Sequence, residues 1–231
     1  MSKLIRACVA LAAFAALAVP ATASAENDIT LQQPTGTSLA PTHASTIPVA
    51  GTSIGKTEML DSSGGVLVSC DTAVMTGNLE TNTHTAVEGT ITSAAFHDVG
   101  GPADPCQGSI GSVTVTPSAA TNGLPWCLRS TNTMKTDEFQ VRGNNCTGPP
   151  RAIRFVLHTA VGQCTYERTG AISGTFTTHP SAAVLSISNQ EFKRIAGSFL
   201  CPANGFLKMS FALERETAGG SPHPIYIVNA T

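Results

Sequence analysis

The chain has 231 residues, 42% of them apolar and only 12% charged, with 13 Lys and Arg against 15 Asp and Glu. Its basic residues are scattered singly apart from Lys193-Arg194, so the clustered positive charge that nucleic acid or anionic lipid demands is absent. The first apolar run, Ala7 to Val19, is too short to cross a bilayer, and no later run of about 18 apolar residues exists, which argues against a membrane span.

Residues 1–25 carry Lys3 and Arg6, then that apolar run, a Pro20 break and small residues at Ala23 and Ala25. This is the pattern of a secretory signal peptide cleaved after Ala25. Cleavage leaves 11 Lys and Arg against 15 Asp and Glu, a net charge of −4. It also removes Cys8, and the six cysteines that remain, Cys70, Cys106, Cys127, Cys146, Cys164 and Cys201, predict three disulfides in an exported chain. None forms a CxxC pair, so neither a zinc site nor a thioredoxin-like motif is read from them.

Residues 26–52 are rich in Thr, Ser, Pro and Ala and read as a flexible or extended arm, one that could lie along a sheet edge. From residue 53 to 231 the texture is that of one β domain, with short alternating segments between turn clusters and no helical period. Gly55–Leu60 and Val66–Asn78 read as a hairpin across Ser62 to Gly65, followed by strands at Ala86–Phe96 and around Val113 and Val115, and weaker candidates at Trp126–Ser130 and Glu138–Arg142. In Ala152–Thr159, Ile153, Phe155 and Leu157 face one way while Arg154 and His158 face the other, as a half-buried strand requires. Tyr166–Thr177 passes Gly170 and Gly174, which suit a bulge or bend; Leu185 and Ile187, then Leu207, Met209, Phe211 and Leu213, alternate with polar or small residues. Ile225 and Ile227 mark a closing strand.

Two stretches share features in the same order. Cys70, Gly77, Phe96 and Cys106 precede Cys164, Gly170, Phe192 and Cys201 by 93 to 96 residues, which points to one strand–hairpin–strand unit used twice, near 66–116 and 162–214. That repeat favours the pairings Cys70–Cys106 and Cys164–Cys201 and leaves Cys127–Cys146, each closing a loop worth roughly 3–4 kcal/mol in the chain-entropy model. It also places Phe96 and Phe192 at equivalent core positions. The predicted fold is all-β: a disulfide-stapled antiparallel β-sandwich or open barrel built from two similar halves.

Chemistry-bearing motifs are sparse. Asp61-Ser62-Ser63-Gly64-Gly65 invites comparison with the GDSGG nucleophile loop of trypsin-like proteases, but only His43 and Asp28 precede it and Leu60 replaces the leading Gly, so it reads as a polar turn. His43, His84, His97, His158, His179 and His223 show no metal-ligand spacing, and no cofactor is assigned. Asp98 to Asp104 supplies two carboxylates, too few for calcium, and reads as a Gly/Pro turn. Trp126, the only tryptophan, sits beside Cys127 and is expected to pack on its disulfide or else to contact a ligand. Arg129, Arg142, Arg151 and Arg154 could line a pocket for an anionic group, with Arg129 and Arg154 as possible ligand contacts.

The signal peptide, the Cys-led strand before a Gly-containing hairpin, Gly123-Leu124-Pro125-Trp126 and the closing CPANGFLKMSF together resemble a set of exported bacterial, largely actinobacterial, Cys-containing β-proteins. Around Gly123–Trp126 the chain is also similar to secreted activators of alkane oxidation. The resemblance covers most of residues 53–214; it implies an extracellular, non-catalytic β-protein and transfers no catalytic residue. The expected role is therefore binding or structural, secreted or at the cell surface, with an envelope component or another protein as partner. The alternatives are an envelope-polymer hydrolase, for which no acid–base or nucleophile constellation is present, and a secreted inhibitor or adhesin.

Overall fold

The computed structural model describes residues 29–229 except 34, 41–45, 84, 110, 118–123, 132, 135–136, 145, 147–148, 150, 161, 179–181 and 217–221. The signal-peptide reading of residues 1–25 lies outside the described residues, as do His43, His84, His179 and Asp28.

The strands in chain order are β1 (Ile29–Gln32), β2 (Ile47–Ser53), β3 (Thr57–Leu60), β4 (Val66–Cys70), β5 (Thr72–Thr83), β6 (Ala86–His97), β7 (Cys106–Gly108), β8 (Gly111–Pro117) and β9 (Trp126–Thr131). They continue with β10 (Glu138–Gly143), β11 (Ile153–Thr159), β12 (Gly162–Arg168), β13 (Ile172–Thr178), β14 (Ala183–Gly197), β15 (Asn204–Arg215), β16 (His223–Pro224) and β17 (Tyr226–Asn229). Alternation in the sequence becomes alternation in burial. On β15, Leu207, Met209, Phe211 and Leu213 are buried while Lys208 between them is exposed. On β11, Ile153, Phe155 and Leu157 are buried and His158 is exposed.

The fold is all-β, antiparallel and disulfide-stapled, and its hydrogen-bonded ladder closes on itself twice. The first ring runs β2–β5–β6–β9–β10–β13, then through the N-terminal part of β14 and the C-terminal part of β15, which pairs back with β2. The second runs β3–β4–β7–β8–β11–β12, then through the C-terminal part of β14 and the N-terminal part of β15, which pairs back with β3. Each ring has an even number of members, as closure with every neighbour antiparallel requires. The two long strands β14 and β15 belong to both rings. Where β14 passes from one to the other, its ladder with β15 shifts register between Ile187 and Gln190, and Asn189 takes a φ of 54°. Asn tolerates that left-handed conformation better than most residues, and the bulge lets one strand bend into two rings.

Three disulfides, Cys70–Cys106, Cys127–Cys146 and Cys164–Cys201, pair as the spacing predicts. Phe96 and Phe192 are both buried, and both stack edge-on against Phe155, with centroids at 5.9 and 5.4 Å. The segments around them share the hairpin pairs β3–β4 and β11–β12, and β5–β6 and β13–β14, yet β12 pairs with β14 whereas β4 pairs with β7. Gly77 and Gly170 do not correspond. Gly77 lies within β5, where a Cβ would meet Thr90 O at 2.1 Å, while Gly170 has φ +95° and makes the turn between β12 and β13. Gly174, inside β13 with a Cβ position 2.4 Å from Phe139 Cζ, is the residue in the comparable tight setting.

Other boundaries differ from the sequence expectation for local reasons. The stretch 26–52, expected as a flexible or extended arm that could lie along a sheet edge, supplies β1 and nearly all of β2, and β2 sits inside the ladder between β15 and β5 rather than at an edge. Its Thr, Ser and Pro content hid that pairing, because interior backbone hydrogen bonds need no apolar periodicity. The expected Val66–Asn78 strand breaks at Asp71, where the chain leaves the second ring for the first. The expected Tyr166–Thr177 strand divides at Gly170 into β12 and β13.

Candidate functional site

The first ring holds a cavity of about 80 Å³, lined by residues from every strand of the ring, among them Met75, Val87, Leu128, Phe139, Phe176 and Phe211. An eight-stranded ring is just wide enough for its side chains to fill or for one small ligand to remain at the centre. Gly51, Gly77 and Gly89 stand on its wall, where a Cβ would meet Phe211 Cβ at 3.3 Å, Thr90 O at 2.1 Å and Asn78 O at 2.9 Å, so no larger residue fits at these positions without displacing a neighbour.

One end of the ring is covered by the two-stranded sheet of β1 and β17. Leu31 on β1 and Ile225 just ahead of β17 are buried and reach the cavity wall. A side chain at the far end of β5 clasps this strap. The Asn82 carboxamide accepts from Leu31 N (2.9 Å) through Oδ1 and donates through Nδ2 to Leu31 O (2.8 Å) and Leu39 O (2.5 Å). The Asn82 amide thus serves β1 as a neighbouring strand would, in a direction β5 itself cannot reach.

The other end is closed by Trp126, at the start of β9 opposite Ile91 on β6 and Gly143 on β10. Trp126 is 1% exposed, lines the cavity and stacks edge-on against Phe155 at 5.6 Å, so it divides the cavity from the core of the second ring. Leu128, two residues on, shares the wall, and strand alternation turns the intervening Cys127 to the other face. Trp126 therefore packs on Phe155 and the cavity rather than on the Cys127–Cys146 bridge. Its Nε1 is buried with no hydrogen-bond partner among the described residues.

The arginines expected around an anionic ligand are dispersed. Arg129 lies 4.0 Å from Glu88 across the β6–β9 ladder. Arg142, opposite Cys127 on β10, donates through an Nη to Cys146 O, and burial together with the neighbouring Arg129 charge holds its pKa below the ordinary guanidinium value. Arg151 is exposed, and its backbone pairs with Gly143. Arg154 stands on β11 of the second ring, where Glu167, its cross-strand neighbour, accepts from its Nε at 3.1 Å. Trp126 is thus inside the first ring, Arg129 faces Glu88, and Arg154 belongs to the other ring.

The remaining motifs are turns. Asp61 Oδ1 accepts from Ser63 N, Ser63 Oγ and Gly65 N at 2.8, 2.6 and 2.8 Å, and these donors, the Ser63 hydroxyl foremost, hold its carboxyl below the usual range. Asp98 accepts from Gln107 Nε2 at 3.0 Å and from Val99 N at 3.1 Å, and its own N–H donates to Asp104 O at 3.2 Å, which anchors the turn to Asp104. Among the described residues no three His, Cys, Asp or Glu side chains are grouped so as to hold a metal ion.

The cavity was not foreseen from the sequence. Its one legible sign was the mid-strand glycine, at Gly77 and Gly89, which weakens a strand unless the space beside it is used. Comparison with protein-family models, with curated proteins and with solved structures finds no match to this chain.

Proposed function

We propose that the chain is an exported, non-catalytic binding protein whose first ring takes up one small apolar molecule. The observation that carries this reading is the cavity itself. At about 24 cal/mol per Å³, an empty space of about 80 Å³ costs roughly 2 kcal/mol, and a single larger side chain at Gly77 or Gly89 is barred by backbone contacts at 2.1 and 2.9 Å. A ligand that fills the space offsets that cost and meets a wall built from aliphatic and aromatic groups. Export is supported by the signal-like residues 1–25 and by three disulfides, which form and persist in oxidising compartments. The partial symmetry of the segments around Phe96 and Phe192 fits duplication of one unit followed by divergence of its strand pairing.

Titration of the purified protein with cyclopentane or benzene, followed by the fluorescence of its single tryptophan and by melting temperature, tests the reading. Saturable binding with a concentration-dependent rise in Tm is the expected result. A flat response in both signals up to the solubility limit of the hydrocarbons would sink it.

A second reading, attachment to a surface or to another protein, has one observation in its favour. Phe199, 90% exposed, and Leu200 sit at the turn between β14 and β15, held by Cys164–Cys201 and by Arg194, which donates to Ser198 O at 2.9 Å. Retention of the protein on cell-envelope fractions, lost on Phe199→Ser, is the outcome that reading requires.

A further inference from the structure

We infer that the ligand of the first ring is an apolar molecule bearing one hydrogen-bond acceptor, a ketone, aldehyde, ester or ether, and that the Trp126 indole N–H is the donor that receives it. The inference depends on the cavity reading above and adds the chemical class of the ligand to it.

Trp126 lines the cavity, and its Nε1 is buried without a hydrogen-bond partner among the described residues. A buried donor left without an acceptor loses its water and gains nothing in return, which is why buried indole N–H groups almost always find a partner. Phe155, edge-on to the indole at 5.6 Å, offers at most a weak π acceptor. The rest of the wall offers little else that is polar. Thr76, Asn78 and Thr90 are its polar residues, and they lie on the paired strands β5 and β6, where their backbone groups serve the ladder. Asn78 Oδ1 already accepts from Thr46 Oγ1 at 3.3 Å.

A ligand with one acceptor therefore gains a hydrogen bond that a pure hydrocarbon cannot make. A ligand carrying a donor or a charge finds no matching group and is excluded by desolvation. Trp126 is at the inner end and the strap residues Leu31 and Ile225 at the outer end, so the bound molecule lies with its acceptor inward and its hydrocarbon toward the strap.

Cyclopentanone and cyclopentane, nearly equal in shape, separate the two claims. With the wild-type protein, cyclopentanone is expected to shift the single indole N–H resonance downfield and to show a lowered carbonyl stretching frequency when bound, while cyclopentane moves neither. In Trp126→Phe, which removes the donor and keeps an aromatic ring, the affinity ratio of ketone to alkane is expected to fall about fivefold, the usual worth of one net hydrogen bond. Taking the ratio cancels any change in cavity size that the substitution brings. Binding of both probes with an unmoved indole resonance overturns the donor assignment and leaves the cavity reading standing. Binding of neither overturns both. The resonance and the carbonyl band are read on the wild-type protein, so the inference stays open to refutation even if the variant does not fold.

Discussion

The first ring keeps a cavity of about 80 Å³, whereas the pocket lined by Met59, Phe96, Phe155 and Leu207 in the second ring is about 20 Å³. Both are closed antiparallel rings and both use β14 and β15, so backbone architecture does not account for the difference. What differs is what points inward. The second ring packs Phe155 against Phe96, Trp126 and Phe192 in edge-on contacts between 5.4 and 5.9 Å, and adds the buried Tyr166 and the disulfides Cys70–Cys106 and Cys164–Cys201. The first ring has three glycines, Gly51, Gly77 and Gly89, on its wall. One ring is filled by aromatics and cross-linked, and the other is left with room for a guest.

The sharpest way to break this contrast is to open the filled ring. Phe155→Ala removes the ring on which three other aromatics converge and is expected to cost about 3–5 kcal/mol. Urea denaturation measures it, and a loss below about 1 kcal/mol would mean that the aromatic plug is dispensable.

Removing cross-links ranks next. Replacing Cys164 and Cys201 by Ala frees a separation of 37 residues, worth about 4 kcal/mol in the chain-entropy model, against about 3 kcal/mol for the separation of 19 between Cys127 and Cys146. The paired variants should therefore differ in denaturation midpoint, with the second-ring variant the weaker. The reverse order would show that enthalpy or unfolded-state structure dominates these bridges.

Tyr166 gives a smaller and pH-dependent effect. Its hydroxyl donates to Pro202 O at 3.0 Å, and burial raises its pKa above the ordinary phenol value. A folded-state pKa above the unfolded one contributes stability that is fully present below about pH 10 and is lost as pH rises through the folded value. Tyr166→Phe should cost about 1 kcal/mol at neutral pH, and its stability should fall less steeply than that of the wild type above pH about 10. Parallel pH profiles would contradict the assignment.

The smallest effect sharpens the contrast directly. Val87→Leu adds one methylene beside the cavity and should change stability by no more than about 0.5 kcal/mol, with gain the expected sign. The same enlargement at Val113 in the second ring, whose Cγ2 lies 2.4 Å from where a Cβ on Gly108 would sit, should cost about 1–3 kcal/mol. Equal responses at the two sites would erase the distinction between the rings.

Much of the fold was legible along the chain, and little of the site. Alternation on β11 and β15 is written in the order of residues, since a strand that buries one face repeats every second position. The disulfide map followed from the spacing of cysteines around Phe96 and Phe192. The arginines were misleading as a group: Arg129 and Arg154, 25 residues apart in sequence, entered different rings, and each met a carboxylate there. Trp126 stood out as the single tryptophan, but whether it met a disulfide, solvent or a cavity depended on strand β9 being placed between β6 and β10.

By itself the sequence determined that this chain is all-β, that its strands alternate, and that six cysteines close three loops, because alternation and pairing by spacing are local properties. Tertiary structure alone decided that neither of the segments 66–116 and 162–214 makes a ring of its own. Each ring draws strands from both, β5 and β6 with β13 and β14 in the first, β4, β7 and β8 with β12 in the second. Closure needs more strands than one segment carries, and the space left at the centre is set by which side chains from distant segments come to face each other. No single stretch of sequence holds that information, so the cavity and the buried indole N–H beside it exist only in the folded chain.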